Sequence, residues 1–369
     1  MTKRILIGQL GVYGDCLYAT TIARQIKQDN PDCNLTWAIG SSYKNILDNN
    51  PYIDTIWEYD VASRLDVTNK WYQFKAEAIA RKNRGDFDEI YFTQIYPGNP
   101  QMFYGSLRGS MFRVYPHPIT VPLDPVLVLT PKEVERVRQF AEDYALTKKK
   151  NVILFECSPQ SGQSFISPDF VRDVSTYIVK NFPDTCIILS GNRPVLFHHP
   201  NIIDGSTLTF RENAELTKYC TLFIGTGSGI TQVCISEWAK PLPMIQLLRK
   251  NTVASLIVDH NYFELPTETI IEMTNCTKTQ VVRCIWDCLT IGFTKAREVY
   301  NDPPNPDFKI IQYHMRFATA TINRKYFDII PEFIYTCLDY GFDWRVLGFI
   351  ATVPTSIFTL IKRRLQGVK

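Results

Sequence analysis

Gly8-Gln9-Leu10-Gly11-Val12-Tyr13-Gly14-Asp15 follows directly on three apolar residues, Ile5, Leu6 and Ile7. Those three read as a short buried strand. Beyond the glycines, Leu17, Ile22, Ala23 and Ile26 recur at helical spacing, so a helix begins near Asp15. A strand, a tight glycine turn and a helix bring backbone N–H groups and the positive end of a helix dipole to the edge of a sheet. In open α/β sheets, ligands bind at the carboxyl ends of the strands, which is where Asp15 falls.

The same alternation runs outward from this turn. Strands are expected at Leu35–Ile39, Asp54–Trp57 and Glu89–Thr93, with helices at Ser41–Asn49 and Trp71–Lys82 between them. A Gly-, Pro- and Tyr-rich loop follows. Prolines then recur from Tyr115 to Pro131, marking a linker. A second alternating unit comes next. Its expected strands are Val152–Glu156, Thr185–Ser190, Leu222–Ile224 and Pro243–Leu247, the last closing the pattern. Its expected helices are Pro131–Tyr144, Pro168–Asn181 with Ser167 as cap, Glu212–Cys220 and Ile230–Trp238. From about 276 onward the pattern is helical only: Thr279–Tyr300, Phe308–Arg324 and Phe327–Tyr340. The reading is therefore α/β, with two Rossmann-like domains facing a cleft, 1–122 and 123–275, and a helical extension over 276–369.

Length and composition suit this. The 369 residues exceed one ordinary domain, and the 45% hydrophobic and 21% charged content is that of a soluble globular chain. Net charge is only +3, yet five basic residues and no acidic one lie between Arg345 and Lys369, more than the whole excess. No nucleic-acid partner is expected. The ten cysteines are scattered, with no Cys-x-x-Cys and no paired histidines, which favours reduced thiols in a cytoplasmic protein over disulfides or zinc. Met1-Thr2-Lys3-Arg4 runs straight into a strand, so no signal peptide is expected, and no apolar run is long enough to span a membrane.

Two glycine-rich turns are candidate ligand sites. The first is Gly8-x-x-Gly11-x-x-Gly14, not the dinucleotide fingerprint, and the next strand ends Ala38-Ile39-Gly40-Ser41-Ser42 without the acid that would hold a nicotinamide ribose. Asp15 reads either as a helix N-cap or as a general base at a cleft edge. The second turn is Gly225-Thr226-Gly227-Ser228-Gly229, opening a helix. It lacks a P-loop lysine. Its glycines let a ligand approach the backbone, Ser228 and Thr231 offer hydroxyls, and a diphosphate fits there.

Read together, these residues resemble a family. Gly8–Ile26, followed by Asn30-Pro31-Asp32-Cys33-Asn34-Leu35-Thr36-Trp37-Ala38-Ile39-Gly40 and Asn50-Pro51-Tyr52-Ile53-Asp54, is similar to the amino-terminal signature of the heptosyltransferases of lipopolysaccharide synthesis, in glycosyltransferase family 9. Glu212–Pro241 resembles that family's second signature. The resemblance covers most of residues 1–250. It implies a two-Rossmann-domain, glycosyltransferase B-type fold. It also implies metal-independent, inverting transfer of a sugar from a nucleotide-diphosphate donor to a glycan or glycolipid acceptor, with no cofactor.

By resemblance Asp15 falls on the catalytic aspartate, and Gly14 beside it is a candidate for the donor phosphates. Ser228 and Gly229 fall on the pair that holds the donor phosphates, supported by Gly227 and Thr231. The family aspartate before that pair is Gly227 here, and its histidine falls on Gln232. Its cation falls near Gln163 and Ser164, so the positive charge comes from elsewhere, with Arg193 as the candidate, or is replaced by amide and hydroxyl donors; Gln163, Ser164, Arg193 and Gln232 are the candidate donor contacts. ADP-heptose is therefore not assumed as the donor. Tyr96, Arg108, Arg113 and His117 lie in or after the loops beyond the fourth strand and are candidate acceptor contacts, or else ordinary surface and linker residues. The apolar and basic tail over 345–369 suits an anionic inner membrane surface, or docking on the first domain. A nucleotide-sugar epimerase and a non-catalytic sugar-nucleotide-binding protein are the alternatives on this architecture.

Overall fold

The computed structural model describes residues 2–99, 102–103, 105–159, 161–195, 199–250, 252–305, 307, 310, 313, 316 and 329–345. Its first unit is a four-stranded parallel sheet of β1 (Arg4–Gly8), β2 (Asn34–Gly40), β3 (Thr55–Tyr59) and β4 (Glu89–Phe92), in spatial order β3-β2-β1-β4. Ile5 pairs with Leu35 on one side and Glu89 on the other. Ile5, Leu6 and Ile7 are fully buried, as a central parallel strand covered on both faces requires.

Helix α1 (Tyr13–Asp29) follows β1 and buries Leu17, Ile22, Ala23 and Ile26. The stretch expected as a helix after β2 is a 3-10 helix, Ser41–Leu47. Helix α2 (Arg64–Asn83) starts earlier than its apolar pattern suggests, because the Ser63 side chain caps it by accepting from the Asp66 N–H. The loop after β4 contains a short helix, α3 (Leu107–Phe112), capped by Ser106.

The second unit is a six-stranded parallel sheet. Its strands are β5 (Asn151–Glu156), β6 (Thr185–Ser190), β7 (Ile202–Asp204), β8 (Leu222–Gly225), β9 (Met244–Leu248) and β10 (Ile270–Thr274), in order β10-β9-β8-β5-β6-β7. Helices α4 (Pro131–Asp143), α5 (Pro168–Asn181), α6 (Glu212–Leu216), α7 (Gly229–Cys234) and α8 (Leu256–Tyr262) connect them. Two strands exceed the expectation. One is β7, only three residues long. The other is β10, so β9 is not the last strand. Glu272 breaks the apolar run of β10, yet it is fully buried, accepting from Ser255 Oγ and from the Leu256 and Ile257 N–H groups of α8.

The expected helix over 279–300 is two, α9 (Lys278–Thr290) and α10 (Phe293–Tyr300), broken at Gly292, whose φ is +96°. Val281, Cys284, Ile285 and Ala296 of these helices are buried in the core of the second sheet, so this stretch packs with the second unit. Further on, a helix spans Ile329–Tyr340. The helix expected over 308–324 lies almost wholly outside the described residues, as does the tail beyond Arg345.

The units meet along α1 and α7. Ala214 and Val233 of the second unit are buried in the first unit's core. Tyr13 stacks on Phe210 with ring centroids 4.5 Å apart. The Arg211 guanidinium donates to the carbonyls of Asn45 (2.9 Å) and Asp48 (3.2 Å) and pairs with Glu133 (2.7 Å). Arg108 on α3 and Asp259 on α8 form a buried ion pair, and Ser106 Oγ donates to the same carboxylate. These contacts set the carboxyl ends of β1 and β8 against each other.

Candidate functional site

Two buried glutamines shape the first glycine turn. Gln9 Nε2 donates to the Gly11 carbonyl at 2.7 Å, and the Gly11 N–H donates to Gln94 Oε1 at 3.2 Å. Thr93 Oγ1 donates to Gln9 Oε1 at 2.8 Å, which ties the turn to the end of β4. The turn's backbone is thus satisfied internally, and α1 leaves it at Tyr13.

Val12 occupies the N-cap of α1 and makes no side-chain capping bond. Asp15 sits inside the first turn, so it does not cap the helix. It is partly exposed, and among the described residues no group donates a hydrogen bond to its carboxyl. Burial raises its pKa from the ordinary carboxylate range to about 7, against the opposing pull of the Arg64 guanidinium. A carboxyl group tuned near neutrality, without a protein partner at a cleft edge, suits a general base.

The second bend is built differently. Ser228 caps α7, its Oγ accepting from the Ile230 N–H at 3.2 Å while its hydroxyl donates to Glu156 Oε1. Glu156 Oε2 accepts from the Thr226 N–H at 3.1 Å. This carboxyl group ends β5, is 2% exposed, and has its pKa raised by burial. The Gly227 N–H donates to Gln246 Oε1 at 3.0 Å, and the buried Thr231 hydroxyl donates to the same oxygen at 3.3 Å. The Thr231 hydroxyl is therefore not offered to a ligand, and that of Ser228 is already engaged. Among the described residues the bend leaves without partners the buried Thr226 hydroxyl and the backbone N–H groups of Ser228, Gly229 and Thr231. Helix α7 has six residues, so its dipole is short.

The two turns touch. A methyl group on Gly14 would lie 3.2 Å from Gly229 Cα, and one on Gly229 would lie 3.4 Å from Gly14 N. Asp15 follows Gly14 directly, and its carboxyl acts electrostatically on the buried Tyr18 phenol, which hydrogen-bonds Gln232 of α7. Gln232 packs here too. It is buried, its Cγ lies 3.4 Å from the same Gly14 position, it hydrogen-bonds Tyr18, and its Oε1 has no partner among the described atoms.

The remaining candidates scatter. Gln163 and Ser164 are engaged within the protein: Gln163 Oε1 accepts from Thr252 Oγ1 at 2.6 Å, and Ser164 Oγ donates to the Leu247 carbonyl at 2.5 Å. Arg193 is exposed just beyond β6, and β6 lies two strands from β8. Tyr96 is half-buried within electrostatic reach of Arg64, hence on the Asp15 side. Arg108 is 2% exposed and committed to Asp259, so it is an interface residue and not a cation facing an acceptor. Arg113 is exposed at the end of α3. His117 lines a cavity of about 400 Å³ with Lys3, Asn30 and Glu89, at the amino end of the first sheet. That is the edge opposite Asp15, so His117 cannot serve the same site.

Three residues of the site escaped the sequence reading. Arg64 follows an N-cap serine that marks only a helix start. Glu156 reads in the sequence only as the end of a strand. Arg249 follows β9 and is exposed at its carboxyl end.

Two parallel sheets with their carboxyl ends opposed define a glycosyltransferase B-type fold. Solved structures of that kind align with the chain. One is the glycosyl transferase family 9 protein of Veillonella parvula, at 16% identity and a TM-score of 0.54, covering 76% of this chain and 87% of that one. Another is the ADP-heptose lipopolysaccharide heptosyltransferase II of E. coli, at 11% identity and a TM-score of 0.51, covering 76% of this chain and 97% of that one. No family model matches the sequence, and no curated protein matches it.

Proposed function

We propose that this protein is an inverting glycosyltransferase that uses a nucleotide-diphosphate sugar. One observation carries the reading: a partly buried carboxyl with a pKa near 7, without a hydrogen-bonding partner among the described residues, follows Gly14, which packs against Gly229, where the main-chain N–H groups of Ser228 and Gly229 have no partner among the described residues. Asp15 takes the proton of an acceptor hydroxyl. The oxygen attacks the anomeric carbon from one face while the bond to the diphosphate breaks on the other, through an oxocarbenium-like state. The bonding electron pair leaves with the diphosphate, whose growing charge the amides stabilise.

The acceptor we propose is a hydroxyl of a bacterial surface glycan, such as lipopolysaccharide core or O-antigen, met at the inner face of the cytoplasmic membrane. Support for that placement comes from the helix Ile329–Tyr340. Ile330, Ile334 and Leu338 are exposed at helical spacing along it, Phe342 and Trp344 are exposed just beyond, and the basic stretch 346–369 follows in sequence.

The reading is tested by a thermal-shift screen against ADP-, GDP-, UDP- and CMP-sugars, followed by product analysis. A transferase converts the stabilising donor only when an acceptor is added. Conversion of donor alone to an isomer indicates an epimerase, and binding without turnover in either mixture a non-catalytic protein.

A further inference from the structure

We propose that Arg249, oriented by Gln163 and Ser164, is the cation that grips the pyrophosphate of the donor. The proposal rests on the transferase reading above and names the charge which that reading lacks.

Arg249 is the first residue after β9, the strand next to β8 in the sheet. Its backbone N–H donates to the Gln163 carbonyl at 2.8 Å, and its side-chain Nε donates to the Ser164 carbonyl at 2.8 Å. The partners are themselves fixed. Gln163 Oε1 accepts from the Val253 N–H (3.3 Å) as well as from Thr252 Oγ1, and the Ala254 N–H donates to Thr252 Oγ1 at 3.0 Å. An exposed arginine is ordinarily a loose, solvated side chain. This one is pinned at backbone and Nε, while its two terminal nitrogens have no partner among the described residues and no carboxylate pairs with it. A guanidinium held by Nε alone keeps its outer edge for a bidentate phosphate contact.

Its position fits the same edge as the glycine bend. Gly225 pairs with Gln246 across β8 and β9, three residues before Arg249. Gly227, at φ +62°, is wedged between the two ends of the Arg249 loop: a methyl there would lie 2.9 Å from Leu248 Cδ2 and 3.0 Å from Ala254 Cβ. Glu156 places a carboxyl beneath the bend, so a pyrophosphate on this edge needs a positive group beside it. Arg193 lies farther along the sheet, beyond β6, and lacks any such anchoring among the described contacts.

The test measures binding of inorganic pyrophosphate to the full-length protein by calorimetry, at low and high salt. Wild type is expected to bind, more weakly as salt rises. Arg249→Ala should bind at least about tenfold more weakly and with a flatter salt dependence. Arg249→Lys, which keeps the charge but loses the fork, should fall between them, and Arg193→Ala should match wild type. Circular dichroism establishes that each variant is folded, and if the alanine variant is not, Arg249→Lys and Arg249→Gln carry the comparison. Wild-type affinity in the Arg249 variants overturns the proposal and leaves the transferase reading standing. Failure of wild type to bind pyrophosphate or any of the four nucleotide sugars overturns both.

Discussion

At the end of β1 a carboxyl group stands without a hydrogen-bonding partner among the described residues. At the end of β8 the hydroxyls of Ser228 and Thr231 are both committed, to Glu156 and Gln246, while the main-chain N–H groups of Ser228 and Gly229 have no partner among the described residues. Both places are strand, glycine turn and helix. The difference lies in which atoms the fold leaves unsatisfied. The first half offers one titratable side chain, and the second offers a rigid set of dipoles. A proton acceptor must change its charge during a reaction, and a phosphate cradle must not. Side chain on one side of the seam and backbone on the other matches those two demands.

The sharpest way to break the comparison is Asp15→Asn. It should lower kcat by a factor on the order of hundreds or more while near-ultraviolet circular dichroism stays native. Near-normal turnover would remove the base from the scheme. In the wild type, the rate should climb as pH rises through about 7, where the carboxyl loses its proton. Stability should run the other way. Because the folded-state pKa lies above the unfolded value of 3.8, ionised Asp15 costs the native state stability. The cost grows as pH rises from about 4 and is complete above about 7, at no more than about 4 kcal/mol. Asp15→Asn should therefore raise the melting temperature at pH 8, with the gain vanishing toward pH 4.

A second test asks whether the two turns work only while the halves are held together. Arg108→Ala leaves the Asp259 carboxylate buried without its cation, at a cost of about 3–5 kcal/mol. Denaturant melts should show that loss. Equal stability would mean that the pair does not hold the interface. A smaller effect is expected at the bend itself. Gly227→Ala forces a side chain into the left-handed region against Leu248 and Ala254, costing about 1–3 kcal/mol in chemical denaturation. Least of all should follow from Ser228→Ala. It removes a cap worth about 1 kcal/mol, and activity should fall by less than about tenfold, since the hydroxyl is engaged with Glu156 and the amides remain. A larger drop would mean that the hydroxyl itself serves the donor.

Local chemistry made much of this legible. Ser167-Pro168 announced the start of α5, and the apolar runs of β1 and β6 could hardly be anything but buried parallel strands. The failures are long-range. The charge of Glu272 hid β10, because its buried partners come from Ser255 and the start of α8. Arg108 reads as a loop cation until Asp259, 151 residues away, closes on it. At the site, Asp15 was visible as a residue, but its freedom from capping depended on where α1 begins, a matter of two residues. Arg249 gives no signal in the sequence, because its anchors are the carbonyls of Gln163 and Ser164, across the sheet edge.

Gly14 and Gly229 pack so closely that a methyl group on Gly14 would press to 3.2 Å from Gly229 Cα, and one on Gly229 would meet the Phe210 ring at 2.8 Å. If the protein is the transferase proposed above, a sugar nucleotide lying between the two turns has to part this stitch, along with the neighbouring Tyr13–Phe210 stack, to load and to leave. Parting and reclosing the seam then becomes part of every catalytic cycle. The ceiling on throughput is set there, on the microsecond-to-millisecond clock of hinge motion, whenever bond-making is the faster event.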